Sequence, residues 1–270
     1  PSQSLGTWTI DTTAPAAPVI TSFSIDSGVS QTDRITNDSD VSLTGTAEAN
    51  SVVKIYDGTT LIGTVTADAQ GNWTLTATGV LAEGVHTFTA KATDVAGNTG
   101  PASSGFAVTV DLTAPSNLVV TSVGDDTGSS ATDKVTKDNT LTVTGTVEPG
   151  ATVYLYDGAT QVGSAVADAQ GNYSVTSSAL GDGQHNLSVK AMDVAGNLSV
   201  GVSAGSWTVD TAAPTGLTIT SISDDTGVAG DRLTSDNTLV ITGTAAANTL
   251  ITFYANGCLL YTSDAADDTP

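Results

Sequence analysis

Three copies of one short signal constrain this chain more than any other feature: Ile10-Asp11-Thr12-Thr13-Ala14-Pro15, Val110-Asp111-Leu112-Thr113-Ala114-Pro115 and Val209-Asp210-Thr211-Ala212-Ala213-Pro214. Their aspartates lie 100 and 99 residues apart, so the 270 residues read as a tandem array of units of about 100 rather than as the one or two domains that length alone suggests. A unit of that size can bury a modest core of its own. Every joint is a short connector stiffened by proline, and every joint carries a carboxylate.

Inside the unit 11–110 the sequence breaks into seven strand candidates, at 19–25, 41–46, 52–56, 61–67, 73–78, 85–93 and 106–110. Val41-Ser42-Leu43-Thr44-Gly45-Thr46 shows the period-two alternation of a half-buried strand. Asp57-Gly58 is a hairpin signal between two such runs. Asp68-Ala69-Gln70-Gly71-Asn72 and Asp94-Val95-Ala96-Gly97-Asn98 are turns, and a polar loop through Asp26, Asp33, Asp38 and Asp40 follows the first strand. The unit 111–209 repeats this element by element: Asp157-Gly158, Asp168-Ala169-Gln170-Gly171-Asn172 and Asp193-Val194-Ala195-Gly196-Asn197 stand at the corresponding places. Aromatic residues are only 5%, small and β-branched residues dominate, and no stretch has helical periodicity. The expectation is an all-β chain of tandem immunoglobulin-like seven-stranded β-sandwiches in an extended array. The cysteine and tryptophan hallmark of antibody domains is missing, so this rests on strand number and patterning.

The domain reading follows. Residues 1–10 are the last strand of a preceding repeat, 11–110 is repeat 1, 111–209 is repeat 2, and 210–257 is a truncated repeat 3. After Gly257 the pattern stops matching, and Cys258-Leu259-Leu260-Tyr261-Thr262-Ser263-Asp264 stands where the next strand and turn are due. Residues 258–270 read as a non-native tail, such as translated cloning or adapter DNA.

Charge narrows the partners. Twenty-eight acidic residues face seven basic ones, for a net charge of −21, and only Glu48, Glu83 and Glu148 are glutamates. Such acidity argues against nucleic acid and against an anionic membrane surface. No apolar run approaches the roughly 18 residues of a spanning helix, so membrane insertion is not expected. The single cysteine, Cys258, excludes a disulfide framework within the chain.

The D-x-T-A-P joint, the S-x-x-D-D-T-G stretch (122–128 and 221–227), the D-A-Q-G-N turn and the D-V-A-G-N turn recur in fixed order over residues 1–257. In these signals the chain resembles the bacterial immunoglobulin-like repeats of large surface adhesins and biofilm-associated proteins, typically exported by type I secretion. The resemblance implies stalk repeats stiffened by Ca²⁺ at their joints, a secreted or cell-surface location, and a role in cell adhesion or biofilm formation. Repeat 1 departs from the pattern: Phe23-Ser24-Ile25-Asp26-Ser27-Gly28 has one aspartate where the later repeats have two, which weakens a metal site there.

Sorting the loops of such a sandwich by end gives candidate metal ligands. The loop after strand one lies at the C-terminal end, and the loops between strands two and three, four and five, and six and seven lie at the other. Joint 1/2 would gather Asp111 with Asp26, Asp33 and Asp38 of repeat 1 and Asp168, Asp193 and Glu148 of repeat 2. Joint 2/3 would gather Asp210 with Asp125, Asp126, Asp133 and Asp138, and the joint ahead of repeat 1 would hold Asp11, Asp68, Asp94 and Glu48. Crowded carboxylates repel, and a Ca²⁺ taking roughly six to eight oxygens would turn that repulsion into attraction. The competing reading is plain turn chemistry, in which Asp-x-x-Gly-Asn only caps hairpins. No D-x-D-x-D-G loop occurs, so an EF-hand is excluded.

No enzyme is expected. Gly201-Val202-Ser203-Ala204-Gly205 fits the nucleophile-elbow spacing, but that motif needs a strand, turn and helix, and the counterpart in repeat 1 does not fit it. His86 and His185 share a strand face with Phe88 and Leu187, as core-rim histidines do. The partners expected are neighbouring repeats of the same chain, and a host surface, abiotic surface or second cell through parts not present. Carbohydrate- or protein-binding accessory modules of a secreted protein or enzyme are the alternative.

Overall fold

The computed structural model describes residues 6–264 except 77–79, 125, 129, 223–225, 227, 229, 236 and 248. Contacts divide the chain into two compact units: residues 1–124 with 142–178 and 186–205, and residues 125–141 with 179–185 and 206–270. The first unit holds all of repeat 1 and most of repeat 2.

Repeat 1 contains β1 (Val19–Phe23), β2 (Ile35–Thr36), β3 (Ser42–Thr46), β4 (Val52–Asp57), β5 (Thr60–Thr66), β6 (Asn72–Thr76), β7 (Gly84–Thr93) and β8 (Phe106–Val110). They form a three-stranded sheet, β1-β3-β6, and a five-stranded sheet, β2-β8-β7-β4-β5. All seven expected strands are present. The addition is β2, which runs parallel to β8 with Ile35 opposite Thr109. Two residues inside a polar loop give no periodicity to read. The Asp33 carboxylate accepts the Ile35 N–H, and Arg34 turns the chain at φ 64°.

Alternation decides what is buried. In β4, Val53 and Ile55 point inward while Val52 and Lys54 point outward, and in β6 Trp73 and Leu75 do the same. These side chains meet Leu43, Phe88 and Val108 in one cluster. In β3 the inward position between Leu43 and the strand end is Gly45, because the Trp73 ring lies against its Cα.

Repeat 2 repeats the plan with β9 (Val119–Val123), β10 (Val135–Thr136), β11 (Thr142–Thr146), β12 (Thr152–Asp157), β13 (Thr160–Val166), β14 (Asn172–Thr176), β15 (Gly183–Met192) and β16 (Val202–Val209). Its sheets are β14-β11-β9 and β10-β16-β15-β12-β13. Leu141, Val143, Val153, Leu155, Leu187 and Val189 are fully buried. Tyr173 takes the place of Trp73. Its hydroxyl donates to the Val119 carbonyl at 2.9 Å, whereas the Trp73 Nε1 is buried without a partner.

Repeat 3 has β17 (Thr218–Ile222), β18 (Ile241–Thr244), β19 (Leu250–Ala255) and β20 (Cys258–Asp264) in two two-stranded sheets, β17-β18 and β19-β20. An open cleft of about 430 Å³ runs between them, lined by Leu217, Ile219, Ile241, Ile251 and Phe253, and Ile219 stays 62% exposed. Residues 258–264 depart from the repeat pattern, and the sequence gives no reason to expect the scheduled strand there. It forms nonetheless: Asn256 and Gly257 at positive φ close a hairpin that sets Ala255 opposite Cys258. The corresponding two-residue hairpin in repeat 1 has only Gly58 at positive φ, with Asp57 opposite Thr60. Among the described residues there is no helix long and apolar enough to cross a membrane.

Candidate functional site: the joint between repeats 1 and 2

The turns that end in Gly-Asn are built by their first residue. Asp68 Oδ1 accepts the N–H groups of Gln70 (2.9 Å) and Asn72 (2.8 Å), and Asp168 Oδ1 accepts those of Gln170 and Asn172 at the same distances. Asp94 Oδ1 accepts the Asn98 N–H at 2.8 Å, while its Oδ2 takes the Asn98 side-chain amide at 2.8 Å. Asp193 does likewise with Gly196 and Asn197. The glycine in each turn sits at positive φ, from 82° at Gly171 to 98° at Gly196, which other residues adopt at a cost.

Donated hydrogen bonds favour the ionised acid, so the Asp68, Asp94 and Asp168 carboxyls lie below their usual range. The Asn72 backbone N–H chiefly holds Asp68 down, and the Asn98 and Asn172 side-chain amides chiefly hold down Asp94 and Asp168. A lowered folded-state pKa gives stability that is present above the ordinary value of 3.8 and lost as pH falls through the folded values. His86 has the opposite sign. Its Nδ1 lies 2.6 Å from Asp57 Oδ2 and its Nε2 lies 2.8 Å from the Ala82 carbonyl. Burial opposes its charge, but the Ala82 carbonyl and Asp57 prevail and hold the pKa above 6.5. That contribution is complete below 6.5 and is lost as pH rises through the folded value. The melting temperature of repeat 1 is therefore expected to be highest between about pH 4 and 6.5 and to fall on either side. His86→Gln should flatten the alkaline slope alone; a slope unchanged by it contradicts the assignment.

Asn98 and Asn197 do a second job. The Asn98 amide donates to the Asp11 carbonyl at 3.1 Å, and the Asn197 amide donates to the Asp111 carbonyl at 2.8 Å. Each Asp-Val-Ala-Gly-Asn turn thus grips the connector that leads into its own repeat. At the other side of the connector, the Asp111 N–H donates to the Thr36 carbonyl of repeat 1 at 2.9 Å, continuing the β2-β8 pairing. Asp111 therefore bridges the two repeats with its main chain. Its side chain faces its own turn, with Oδ1 accepting the Thr113 N–H at 3.1 Å, and Asp11 and Asp210 repeat this at Thr13 and Ala212.

The loop after β1 meets the turn after β15 directly. Ser27 Oγ donates to the Ala195 carbonyl at 2.8 Å and the Val29 N–H to the Val194 carbonyl at 3.2 Å. Gly28 lies between them, so close that a Cβ there would collide with the Val194 carbonyl oxygen and sit 2.7 Å from the Ala195 carbonyl carbon. Ser27 is itself fixed by the Asn37 N–H at 2.8 Å and by Thr36 Oγ1 at 3.1 Å.

The first loop of repeat 1, the connector and the last turn of repeat 2 come together. The carboxylates do not. Asp193 spends both oxygens on its turn, and Asp26 Oδ2 accepts the Arg34 N–H at 3.1 Å, as Asp126 Oδ2 accepts that of Lys134 at 2.9 Å. Asp26 Oδ1 and Asp126 Oδ1 remain buried without partners. Asp125 lies outside the described residues. Among the described residues no three His, Cys, Asp or Glu side chains converge at this joint. The residues the sequence reading passes over are Ser27, Gly28, Val29, Ala195 and Asn197. Ser27 and Gly28 are marked only by the pairing of a hydroxyl with glycine that recurs after Asp126, and Ala195 and Asn197 only by the recurring Asp-Val-Ala-Gly-Asn turn.

Ser203 lies within β16, where its Oγ accepts the Gly205 N–H at 3.1 Å, so the nucleophile-elbow spacing is formed by a strand.

Two sandwiches of one pattern, joined by a proline-bearing connector that both of them grip, define a tandem immunoglobulin-like array. The chain belongs to the bacterial Ig-like domain family, whose pattern matches residues 5–112 and 113–211. It is 32% identical over 219 residues to exoglucanase B of Cellulomonas fimi, covering 77% of this chain and 18% of that enzyme. It is 33% identical over 212 residues to chitinase A1 of Niallia circulans, covering 76% of this chain and 27% of that enzyme. The chain therefore spans less than a third of the length of either relative. A solved structure from a 1.5-MDa bacterial ice-binding adhesin is similar at 23% identity with a TM-score of 0.37, covering 73% of this chain and 65% of that one.

Proposed function

We propose that these repeats are non-enzymatic spacers of a bacterial cell-surface adhesin, supporting cell adhesion or biofilm formation by holding neighbouring modules in a fixed relation. The supporting observation is the main-chain bridge at Asp111, which pairs with Thr36 of one repeat and Asn197 of the next. A connector held from both sides limits bending, which is what a spacer requires. Calcium stiffening is a separate proposal with its own test, because the main-chain bridge at Asp111 is made without a metal.

The second reading is an accessory module of a secreted polysaccharide-degrading enzyme, favoured by the identity with exoglucanase B and chitinase A1. In that case the repeats would still be spacers, or would bind glycan themselves. A glycan array on residues 11–209, run beside small-angle scattering in Ca²⁺ and in EGTA, separates these. Spacers should bind no saccharide and keep one maximum dimension from sample to sample; saturable binding of one polysaccharide would replace the adhesin reading with the second. A rise in melting temperature with Ca²⁺ supports the ion, and an unchanged value removes it while leaving the spacer in place.

A further inference from the structure

The pentapeptide Asp-Val-Ala-Gly-Asn occurs twice, at 94–98 and 193–197, with the same capping of its amides by the leading aspartate. The two copies differ in what covers them. In repeat 2, Ala195 is fully buried and Val194 is 42% exposed, because Ser27-Gly28-Val29 lies on them. In repeat 1, Ala96 is exposed and Val95 is 86% exposed. A Cβ on Gly196 would sit 3.0 Å from the Gly28 Cα and 3.1 Å from its nitrogen, whereas a Cβ on Gly97 would meet nothing within 4 Å.

We propose that the Val-Ala-Gly face of this turn is a receptor for the Ser/Thr-Gly loop of another repeat, closed by main-chain and hydroxyl contacts without a metal. Repeat 1 then offers Val95-Ala96-Gly97 as an open receptor for the loop of a further repeat of this kind. The chemistry selects its partner narrowly. The incoming loop must supply a hydroxyl donor for the alanine carbonyl, an amide for the valine carbonyl and a residue without a side chain between them. Ser27-Gly28-Val29 supplies all three. In repeat 2, Thr127-Gly128 offers the same hydroxyl and glycine: Thr127 Oγ1 accepts the Lys137 N–H at 3.0 Å as Ser27 Oγ accepts that of Asn37. The hydrogen bonds described between the Ser27-Gly28-Val29 loop and the Val194-Ala195 turn run from a hydroxyl and an amide to carbonyls, so chelation of calcium does not remove them.

This inference deepens the spacer reading and rests on it, but its test is separate. The readout is hydrogen exchange of the Val29 amide, measured by NMR on the 270-residue chain in EGTA. That amide lies on a 61% exposed residue and its bond crosses between repeats, so its protection reports the latch. The turn glycines form a matched pair, Gly97 at φ +95° and Gly196 at φ +98°, so Gly97→Ala carries the same backbone strain as Gly196→Ala without the neighbour. Gly28→Ala and Gly196→Ala are expected to cut Val29 protection at least about tenfold, and Gly97→Ala to leave it unchanged. In a chain extended by a second copy of residues 11–110 placed ahead of Asp11, Gly97→Ala should unlatch the new joint. Equal behaviour of the matched pair overturns the latch, as does protection of Val29 that arises only with Ca²⁺, or a neutral Gly97→Ala in the extended chain. Glycan binding would displace the spacer reading without touching these exchange results.

Discussion

Phe88→Ala is expected to melt repeat 1 and leave repeat 2 folded. Phe88 is fully buried on β7, opposite Phe106 on β8, and belongs to the cluster with Leu43, Ile55, Trp73 and Val108. Truncating a buried phenylalanine costs about 3–5 kcal/mol, from lost transfer energy and the cavity left behind. A domain of this size has about 5–15 kcal/mol in all, and each kcal/mol moves the midpoint by about 4–8 °C. Calorimetry of residues 11–209 should therefore show one transition falling by more than about ten degrees while the other holds. Leu187→Ala, at the corresponding position in repeat 2, should move the other transition. Equal displacement of both transitions by either variant would show that the repeats melt as one body, against the two separate cores found here.

Gly45→Ala is the second large effect, and it depends on the close approach of the neighbouring strand and of an aromatic ring rather than on a positive φ. A Cβ at Gly45 would strike the Val19 carbonyl of β1 and sit 2.7 Å from Trp73 Cε2, so strand and indole would both have to shift. At Gly145 the same Cβ would lie 2.6 Å from the Tyr173 hydroxyl. Overpacking of this kind costs about 1–3 kcal/mol, and collision with a strand backbone puts the expected loss near the upper end. Thermal unfolding of Gly45→Ala and Gly145→Ala checks it. Gly58→Ala, where a Cβ meets open space, is the comparison and should cost only the positive-φ penalty of roughly 1–2 kcal/mol. A Gly45→Ala chain as stable as Gly58→Ala would show that β1 gives way more readily than its pairing with β3 suggests.

These two experiments touch what the sequence makes plain. Alternation in Val41-Ser42-Leu43-Thr44-Gly45-Thr46 places Leu43 in the core, and the recurrence of Asp11, Asp111 and Asp210 sets the unit length. Asp57-Gly58 marks a hairpin that the structure closes between Asp57 and Thr60. Turn chemistry is equally local, so Asp68, Asp94, Asp168 and Asp193 are legible as caps because an aspartate needs only its own next few amides to cap a turn.

What the sequence by itself determined is therefore the repeat, the strands and the capped turns, since each depends on residues a few positions apart. Tertiary structure decided what the acids do at the joint. Charge and spacing bring Asp26, Asp111 and Asp193 to one region, yet which atoms meet depends on backbone directions set by two folded sheets. In this fold Asp111 offers its main chain across the joint and keeps its carboxylate for Thr113. The contact between the first loop and the last turn falls to Ser27, Gly28 and Ala195, through a carbonyl, a hydroxyl and a missing side chain, while Glu83 takes the Thr113 hydroxyl of the connector. Main-chain atoms are the same in every residue, so a site built from them leaves almost no mark in composition beyond the glycine that lets two backbones touch.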